Sequence, residues 1–545
     1  MLNGRNSSLE SRVPASSESP VQASNTFGWR SASDLLGWWN LYFIAKLVLF
    51  ALGFMGFHLV ENLVFALALA AMSVPAARRF RPWIGVPVSI ALLYYDSWLP
   101  GFSRVVATAG LVSSFSGAYL AELASRFVSW KVIAALVVAA AAFAGARRFA
   151  RLDVPVVLAM LVLPLVLSQP SGVAAPAQEG AAGAKPQPAK SPDEVVADFF
   201  AKEKARTVSF TKPPESAPPF DVIFLHVCSM SWDDLEATGM DKHPLLSSFD
   251  IVLRRFNSVS TYSGPAAIRF MRAPCGQPTH KDLYTPAREQ CLLMPQLQAA
   301  GLETDLVLNH DGHFDDFLKT VNAQGVKKPP MAFTGIPAPL RAFDSSKIYD
   351  DAALLARWLE IRPKAGPERA ALYFNSVSLH DGNIVASDSK KNSHETYKAR
   401  LQKMLDDLQG FLGKLEKSGR RAVVVLVPEH GAAWRGDAAQ IAGLREIPTP
   451  AITLVPVMVK VIGPDAKRNG DPLAVNEPTS YLAVSHIVAQ MLAKPPFGAL
   501  GFAPGDYTNG LPLTEIVSEG EATTVMQRGN GYLLKLERDP WKDLK

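Results

Sequence analysis

The chain has 545 residues, 48% of them hydrophobic and 19% charged, and its formal net charge is +5. This length allows several domains, and the small charge, without a long Lys/Arg run interleaved with aromatic residues, argues against nucleic acid as a partner. Up to about residue 170 the chain is apolar with sparse charges, whereas from about residue 195 its composition is that of an ordinary globular protein. We therefore expect a membrane-embedded half followed by a soluble half.

Five apolar runs in the first half approach the length that crosses a bilayer. The first has Trp38, Trp39 and Tyr42 at its start, and such residues are typical of the membrane interface. The polar N-terminus and the repetition of the runs disfavour a cleaved signal peptide. We predict a tail over residues 1–33 and about five transmembrane helices over residues 34–168, which either form a simple anchor or also position a lipid substrate. The runs are Leu41–Phe57, Leu63–Ala77, Ile84–Tyr95, Val132–Ala146 and Val154–Leu167.

Three groups of arginines predict the orientation of these helices. They follow the second run, follow the fourth run and lie in the tail, so five spans would place all three on the cytoplasmic side. The soluble half would then lie in the periplasm of a bacterial inner membrane, with Ser97–Trp130 extracytoplasmic and partly interfacial. This parity depends on the shortest run, Ile84–Tyr95. The groups are Arg78, Arg79 and Arg81; Arg147, Arg148 and Arg151; and Arg5, Arg12 and Arg30.

Residues 169–192 are rich in Ala, Pro, Gly and polar residues. Because such a composition cannot bury a core, we predict a flexible tether there. The soluble domain would then cover residues 193–545.

Short apolar runs rich in β-branched residues alternate with helical patterns in the soluble half. This alternation predicts an α/β domain with a mostly parallel sheet and helices on both faces. In such a sheet the ligand site lies at the carboxyl ends of the strands. The predicted strands are Asp221–Val227, Asp305–Leu308, Ala371–Ser376, Ala422–Val427 and Val455–Val461, and the predicted helices include Leu292–Ala300, Asp350–Glu360 and His394–Leu415.

Four of these predicted strands are followed by metal-capable or titratable side chains. One or two such strand ends would be common by chance, but four on the same edge of a sheet indicate a functional site. In chain order they are Cys228; Asn309, His310 and Asp311; His380 and Asp381; and Glu429 and His430.

The segment Tyr262–Pro265 opens a helical stretch and has two interpretations. Ser263 is a good N-cap residue and Pro265 fits the first turn, so a capped helix is the simpler one. Alternatively, Ser263 Oγ lies at a helix N-terminus, where the dipole and the backbone N–H groups favour a phosphate. Serine needs activation to act as a nucleophile, and coordination to a metal is one route.

Cys228, Glu429 and His430 with Ser263 would make a four-coordinate set of S, O and N donors. This mixture suits zinc, whereas magnesium and calcium prefer oxygen ligands only. Each residue also has a structural interpretation, since a lone Cys after a strand is more often a small buried apolar residue and a Glu-His pair in a loop is more often structural. The combination favours the zinc site.

Three cysteines are present, an odd number that allows one bonded pair and one cysteine with another role. Cys275 and Cys291 enclose a polar, proline-containing segment, as in a surface loop closed by a disulfide. An extracytoplasmic location permits such a bond. Two free thiols are the alternative.

The order of these residues resembles the alkaline phosphatase superfamily: a metal ligand after the first strand, a nucleophile about 35 residues later, and an acid–His pair after a late strand. Within it, the chain is similar to the membrane-anchored phosphoethanolamine transferases, and in detail to those of bacterial cellulose synthesis. Cys228 is the specific mark, because lipid A transferases carry a carboxylate there. The supporting segments are HVCSMSWDDL (226–235), FNSVSTYSGPAAIRFMRAPCGQ (256–277), LNHDGHFDDF (308–317) and VPEHGAAWRGDAAQIAGLREIPTP (427–450).

The resemblance implies an alkaline-phosphatase-like fold and a one-zinc site in which Ser263 is both ligand and nucleophile. It makes His380 the candidate general acid or base. The positions carried over are Cys228, Ser263, Glu429 and His430 for zinc; Tyr262, His380 and Arg445 near the reacting phosphate; and Cys275 and Cys291 for a family disulfide.

The implied reaction transfers phosphoethanolamine from phosphatidylethanolamine to Ser263 and then to a glucosyl hydroxyl of cellulose. The implied partners are the inner membrane, the cellulose synthase complex and a small membrane subunit. The alternatives are a related phosphoethanolamine, phosphoglycerol or sulfate-ester enzyme with another acceptor, and a non-catalytic scaffold or membrane-tethered binding module of an envelope polysaccharide machine.

Overall fold

The computed structural model describes residues 35–52, 55–97, 115–127, 130–146, 151–167, 190–362, 368–537 and 539–544. The predicted tail and nearly all of the predicted tether lie outside the described residues. So do most of the arginines that predict the orientation.

The described part of the first half contains six α-helices joined by turns and irregular segments. Five of its helices correspond to the five predicted apolar runs, and a sixth, α4, lies in the segment predicted to be interfacial. The helices are α1 Trp39–Ala51, α2 Leu59–Ala71, α3 Arg81–Asp96, α4 Gly117–Phe127, α5 Trp130–Ala146 and α6 Asp153–Leu167.

Polar contacts tie the ends of these helices together. Asp153, at the start of α6, accepts a hydrogen bond from Asn40 Nδ2 at 2.7 Å. Lys46 is buried and paired with Asp96, and its Nζ donates to Asn62 Oδ1 at 2.7 Å. Because a buried charge is stable only when it is paired, α1, α2 and α3 are held in one arrangement.

No helix among the described residues combines the length and the hydropathy that a membrane span requires. The longest of the six N-terminal helices, α5, has 17 residues, and α1 and α2 have 13 each. At 1.5 Å per residue, 17 residues reach about 26 Å, which is less than the roughly 30 Å of a hydrocarbon core. The structure therefore confirms the runs as helices but does not confirm them as the five predicted spans.

The second half contains ten further α-helices and fourteen strands among the described residues. The helices are α7 Pro192–Lys204, α8 Trp232–Thr238, α9 Pro244–Ser247, α10 Ser263–Met271, α11 Leu293–Ala299, α12 Phe317–Ala323, α13 Asp351–Ile361, α14 Ser393–Lys417, α15 Pro450–Thr453 and α16 Tyr481–Ala493. The strands are β1 Asp221–Val227, β2 Ile251–Asn257, β3 Glu303–Leu308, β4 Leu340–Arg341, β5 Lys347–Ile348, β6 Ala370–Ser376, β7 Ile384–Val385, β8 Ala422–Pro428, β9 Leu454–Ile462, β10 Leu473–Thr479, β11 Val517–Glu519, β12 Thr523–Arg528, β13 Gly531–Leu536 and β14 Lys542–Leu544.

A seven-stranded sheet forms the centre of this half, in the order β10-β2-β9-β8-β1-β6-β3. The strands β3, β6, β1 and β8 pair in parallel, as do β2 and β10, whereas β9 is antiparallel to both β8 and β2. All strands of this sheet except β9 thus point the same way, which confirms the predicted mostly parallel sheet. The four strands whose ends were singled out in the sequence are the four parallel neighbours.

Side chains of the central strand face two separate hydrophobic layers. In β1, Val222 and Phe224 pack with residues of α10 and α16, whereas Ile223 and Leu225 pack with residues of α13 and α14. Successive side chains of a strand point to opposite faces, so a strand that is apolar throughout needs a helical layer on each face. The predicted helices on both faces are confirmed.

Several strands have no counterpart in the sequence analysis. The strand β2 carries the exposed Arg254 and the half-buried Arg255, and β10 contains Pro478, which is tolerated because β10 is an edge strand. A separate four-stranded antiparallel sheet, β11-β12-β13-β14, ends the chain. Polar residues interrupt the apolar runs of these strands, so the sequence pattern does not predict them. Only strands that are buried on both faces give continuous apolar runs.

Cys275 and Cys291 form a disulfide, with their Cα atoms 5.0 Å apart. The bond closes a loop that contains short 3₁₀ helices at Lys281–Tyr284 and Glu289–Cys291. Of the two sequence alternatives, the structure has the disulfide, and Cys228 is the free cysteine.

Replacing both Cys275 and Cys291 with Ser is expected to lower the free energy of unfolding by about 3 kcal/mol, because closing a loop of this size restricts the unfolded chain. Thermal denaturation with and without a reducing agent measures this. The reducing agent should lower the melting temperature of the wild type and leave the double variant unchanged. Equal melting temperatures of oxidised wild type and double variant would contradict the prediction.

Candidate active site and metal centre

Cys228 follows β1 at the carboxyl edge of the sheet. Its backbone N–H donates to Ser376 O at the end of β6, at 2.8 Å, and its side chain is fully buried. The next residue, Ser229, has a φ of 63°, in the left-handed region that few non-glycine residues adopt. The chain therefore turns sharply after Cys228, and the thiol is held at the edge of the sheet.

Ser263 is the first residue of α10, and the N-cap position belongs to Tyr262, which makes no side-chain capping bond. The interpretation of Ser263 as an N-cap is therefore wrong. Ser263 Oγ instead lies 3.5 Å from Cys228 Sγ. The first N–H groups of a helix lack intrahelical partners, so Ser263 occupies a position where an anionic group is stabilised.

Glu429 and His430 follow β8, the strand beside β1. The N–H of Glu429 donates to Val227 O at 2.9 Å, and the N–H of Met230 donates to His430 O at 2.7 Å. The next residue must be small, because a Cβ on Gly431 would lie 2.6 Å from Ser231 Oγ. The two segments that leave β1 and β8 are thus locked side by side.

Four side chains from distant parts of the sequence converge at this edge. Ligand atoms of Cys228, Glu429 and His430 all lie within 4.8 Å of one another. Cys228 Sγ is 3.8 Å from His430 Nε2, and His430 Nε2 is 3.9 Å from Glu429 Oε2. Donors 2.0–2.3 Å from a tetrahedral ion are roughly 3.4–3.8 Å apart, so these separations are close to those of ligands around one ion.

The protonation states of the donors also fit a metal ion. Glu429 Oε2 is buried and makes no hydrogen bond to any described residue. His430 Nδ1 lies 2.8 Å from Gly431 O and 3.3 Å from Arg445 Nη1, and the shorter contact makes Nδ1 the protonated donor. The lone pair of Nε2 is then directed at the other ligands, as in most metal-bound histidines.

Burial disfavours the charged forms of these groups when no cation is bound. Burial, followed by the charge of Glu429, raises the pKa of Cys228 to about 12, and burial raises the pKa of Glu429 to about 7. Burial, followed by Arg445, holds the pKa of His430 well below its usual value. A cation would favour the thiolate and the carboxylate, so metal binding is expected to release protons.

A hydrogen-bonded chain behind Glu429 was missed in the sequence. Asn375 Nδ2 donates to Glu429 Oε1 at 2.6 Å, and Asn375 Oδ1 lies 2.9 Å from His310 Nε2. His226 Nδ1 lies 3.5 Å from the same carboxylate oxygen. The sequence feature that could have indicated this role is the polar side chain of Asn375 near the end of the largely apolar strand β6. His310 therefore contacts Asn375 behind Glu429 and lies outside the candidate ligand cluster.

The other residues of the loop after β3 lie outside the ligand cluster. Asn309 is buried and donates to Asp351 Oδ1 at 2.9 Å, and Asp311 is exposed and accepts from His313 N at 3.0 Å. The loop does approach the start of α10, because Asp315 Oδ2 lies 3.5 Å from the position of a Cβ on Gly264.

Arg445 lies close to His430, with its Nη1 3.3 Å from His430 Nδ1. It is buried, and its Nη1 lies 3.3 Å from Ser229 Oγ. Its guanidinium stacks over the ring of Tyr262 at 5.5 Å, and the hydroxyl of Tyr262 donates to Glu446. A buried cation that packs on Tyr262, the residue before Ser263, is suited to a phosphate oxygen.

His380 follows β6 on the same edge. Its Nδ1 lies 2.6 Å from Asp381 O, so Nδ1 is the protonated nitrogen and Nε2 can accept a proton. Burial, followed by the positive charge of Arg445, lowers the pKa of His380 to about 4. The imidazole is therefore neutral near pH 7 and is a candidate base.

Comparison with known families explains this set of residues. The model for the N-terminal domain of cellulose biosynthesis protein BcsG matches residues 39–165, and the model for the BcsG C-terminal domain matches residues 176–541. The chain belongs to the BcsG family. This confirms the resemblance to the cellulose-associated branch of the superfamily, and Cys228, Ser263, Glu429 and His430 all lie within the matched C-terminal domain of BcsG.

Two curated relatives carry the BcsG name. The chain is 38% identical to cellulose biosynthesis protein BcsG of Escherichia coli and 39% identical to that of Salmonella typhimurium, in each case over 94% of this chain and 96% of the relative. Among solved structures, a protein in the alkaline phosphatase superfamily from Vibrio parahaemolyticus is similar at a TM-score of 0.45 and 12% identity, covering 65% of this chain and 88% of that one.

Replacing Asn375 with Ala is expected to lower the affinity for zinc, used as the probe ion, about 10–100-fold, because residues that orient metal ligands have effects of this size. Competition with a chelator measures the affinity. Asn322→Ala, an exposed position on α12, is the matched control and should bind zinc as the wild type does. An unchanged affinity in Asn375→Ala would show that Glu429 needs no support from this chain of hydrogen bonds.

Proposed function

We propose that the protein is a zinc-dependent phosphoethanolamine transferase that modifies cellulose through a covalent intermediate on Ser263. The observation that carries this proposal is the convergence of Ser263 Oγ, at the N-terminus of α10, with Cys228 Sγ 3.5 Å away and with Glu429 and His430. A hydroxyl in that position has both an activating set of metal ligands and a helix N-terminus for the phosphate.

Zinc is the ion that the donor set supports. Cys228, Glu429, His430 and Ser263 supply one S, one N and two O donors, and a thiolate ligand favours zinc over magnesium or calcium. When bound, zinc lowers the pKa of a coordinated hydroxyl and polarises a phosphoryl oxygen.

In the first step the oxygen of Ser263 forms a bond to phosphorus, and the bond between phosphorus and the diacylglycerol oxygen breaks. Diacylglycerol gains the proton that Ser263 loses. The N–H groups of the first turn of α10 and the guanidinium of Arg445 hold the phosphate oxygens from two directions. Tyr262 lies under Arg445 and keeps it in place.

In the second step a glucosyl hydroxyl, by family resemblance the 6-hydroxyl, attacks the phosphorus and the bond to Ser263 breaks. The acceptor hydroxyl must lose a proton, which His380 Nε2 is suited to take, and the leaving oxygen of Ser263 regains one, so the serine hydroxyl is restored. Because Nδ1 is bonded to Asp381 O and burial keeps the ring neutral, Nε2 carries a free lone pair near pH 7.

The proposed setting is the inner membrane of a bacterium. Residues 1–33 would form a cytoplasmic tail, residues 34–168 the membrane domain, residues 169–192 a tether and residues 193–545 the periplasmic catalytic domain. Anchoring would hold the enzyme in the leaflet that contains phosphatidylethanolamine, which raises the effective donor concentration. The proposed partners there are the cellulose synthase complex and a small membrane subunit.

Ser263→Ala is expected to abolish transfer while the protein still folds, because the variant loses the atom that becomes bonded to phosphorus. Mass spectrometry after incubation with phosphatidylethanolamine should find one phosphoethanolamine unit on Ser263 of the wild type and none on the variant. Ser247→Ala, which removes an exposed hydroxyl in α9, is the control and should retain full transfer.

The acceptor is tested in the same assay by offering cellulose or lipid A to the loaded enzyme. Loss of the adduct with cellulose alone supports the proposal, and loss with lipid A alone assigns the related transferase with another acceptor. Transfer that persists in Ser263→Ala would reject the covalent mechanism, and cellulose modification in cells that survives this substitution would support a scaffold role.

The wild-type chain is expected to contain close to one zinc ion, and Cys228→Ala is expected to lose it, because the thiolate is the ligand that selects zinc. Elemental analysis of purified protein measures the content. The double variant of Cys275 and Cys291 to Ser, which removes two other sulfur atoms, should retain its zinc. Active protein without zinc would refute the metal assignment.

A further inference from the structure

The helix α4 of the N-terminal half lies against the loop that follows β6 and carries His380. The hydroxyl of Tyr119 donates to Asp381 Oδ2 at 3.2 Å. Ser393 Oγ lies 2.8 Å from Glu122 Oε1 and 2.8 Å from Asp381 Oδ1. Two turns of α4 are thus bonded to the residue next to His380 and to the start of α14.

Aromatic packing continues this contact up to His380 itself. The rings of Phe115 and Tyr119 lie 5.2 Å and 5.7 Å from the ring of Phe343, and the N–H of Ser116 donates to Phe343 O at 2.8 Å. Phe343 also packs against Phe314, with ring centroids 4.5 Å apart, and against His380, with the two rings 5.3 Å apart. Phe343 is therefore in contact with both α4 and the imidazole.

The loop is shaped to fit Tyr119. Gly382 has a φ of +78°, and a Cβ on it would lie 2.6 Å from Tyr119 Cε2 and 2.7 Å from Phe343 Cβ. Only glycine accepts both this conformation and this approach. From the other side, Arg400 Nη1 donates to Ser378 O at 2.6 Å, which fixes the beginning of the loop.

We propose that Tyr119 is a positioning residue for His380, so that the N-terminal half completes the active site in the soluble half. Its hydroxyl fixes Asp381, whose backbone carbonyl holds His380 Nδ1 at 2.6 Å, and its ring packs against Phe343 and Gly382. The proposal rests on the role of His380 in the proposed function. It assigns α4 a function in the reaction in addition to that of a connecting segment.

A double-mutant cycle on the full chain tests whether Tyr119 acts through His380. Tyr119→Phe keeps the ring and removes the hydroxyl, so the contact surface is retained and the variant should fold. We expect kcat for transfer to fall about tenfold with the KM for phosphatidylethanolamine nearly unchanged, since a small misplacement of a reacting group slows chemistry without weakening binding. In a His380→Ala background the same substitution should change kcat by less than about twofold.

Ser125→Ala on the same helix is the matched control, because its hydroxyl bonds to Glu122 O within α4. It should leave kcat and zinc content unchanged. Equal kcat losses from Tyr119→Phe in both backgrounds would overturn the proposal and leave the assignment of Ser263 intact. Wild-type kcat in His380→Ala would overturn it as well, whereas absence of a Ser263 adduct in the wild type is the separate failure of the proposed function.

Hydrogen exchange of residues 377–383 gives a readout that needs no turnover. Tyr119→Phe is expected to speed exchange in this loop, and Ser125→Ala is expected to leave it unchanged. If His380→Ala has no measurable transfer, the double-mutant cycle cannot be evaluated, and the exchange rates then decide whether Tyr119 positions this loop. Unchanged exchange together with unchanged kcat in Tyr119→Phe would reject a positioning role for Tyr119.

Discussion

The registers that pair β1 with β8 and with β6 determine the geometry of the site. Val227 lies opposite Pro428 in one neighbour and Ser376 in the other, so the three strands end at the same height. Cys228 and Glu429 therefore leave adjacent strands side by side. A slip of one residue would turn each side chain of a strand to the opposite face. The two apolar layers prevent such a slip, because it would exchange the two buried sets of side chains and pack each against the wrong helices.

The same burial that fixes the register makes the site unfavourable without a cation. A thiol, a carboxylate and an imidazole in a water-excluded position are each driven toward their neutral forms, and the carboxylate opposes ionisation of the thiol. Asn375 and His310 stabilise Glu429 from behind through hydrogen bonds, but they leave Oε2 without a partner. A divalent ion bound there would satisfy that oxygen and offset both negative charges, so the geometry and the electrostatics favour the same kind of ligand.

The sequence predicts the centre of this domain well and its periphery poorly, for one physical reason. Strands buried on both faces are continuous apolar runs, so β1, β3, β6, β8 and β9 are visible, and the rule that ligands bind at strand ends then indicates Cys228, Glu429 and His430. The antiparallel direction of β9 and the presence of β2 depend on pairing across the sheet, which no local pattern encodes. Asn375 was missed because its role depends on Glu429, which follows a different strand. The interpretation of Ser263 as an N-cap was wrong because the helix begins one residue earlier than the composition suggests.

The change in composition near residue 170 does not coincide with the edge of the loop that carries His380, because α4 contacts this loop from the other side of that change. If the second half held the whole active site, the loop after β6 could be packed by its own side chains. Instead the absence of a side chain at Gly382 leaves room for the ring of Tyr119, which a Cβ there would meet at 2.6 Å. In the structure this loop is therefore packed partly by a side chain of the N-terminal half. If donor lipid reaches the site along the N-terminal half, the contact that holds His380 also depends on the position of that half. Proton transfer and donor supply would then be coupled through Phe343 and Asp381.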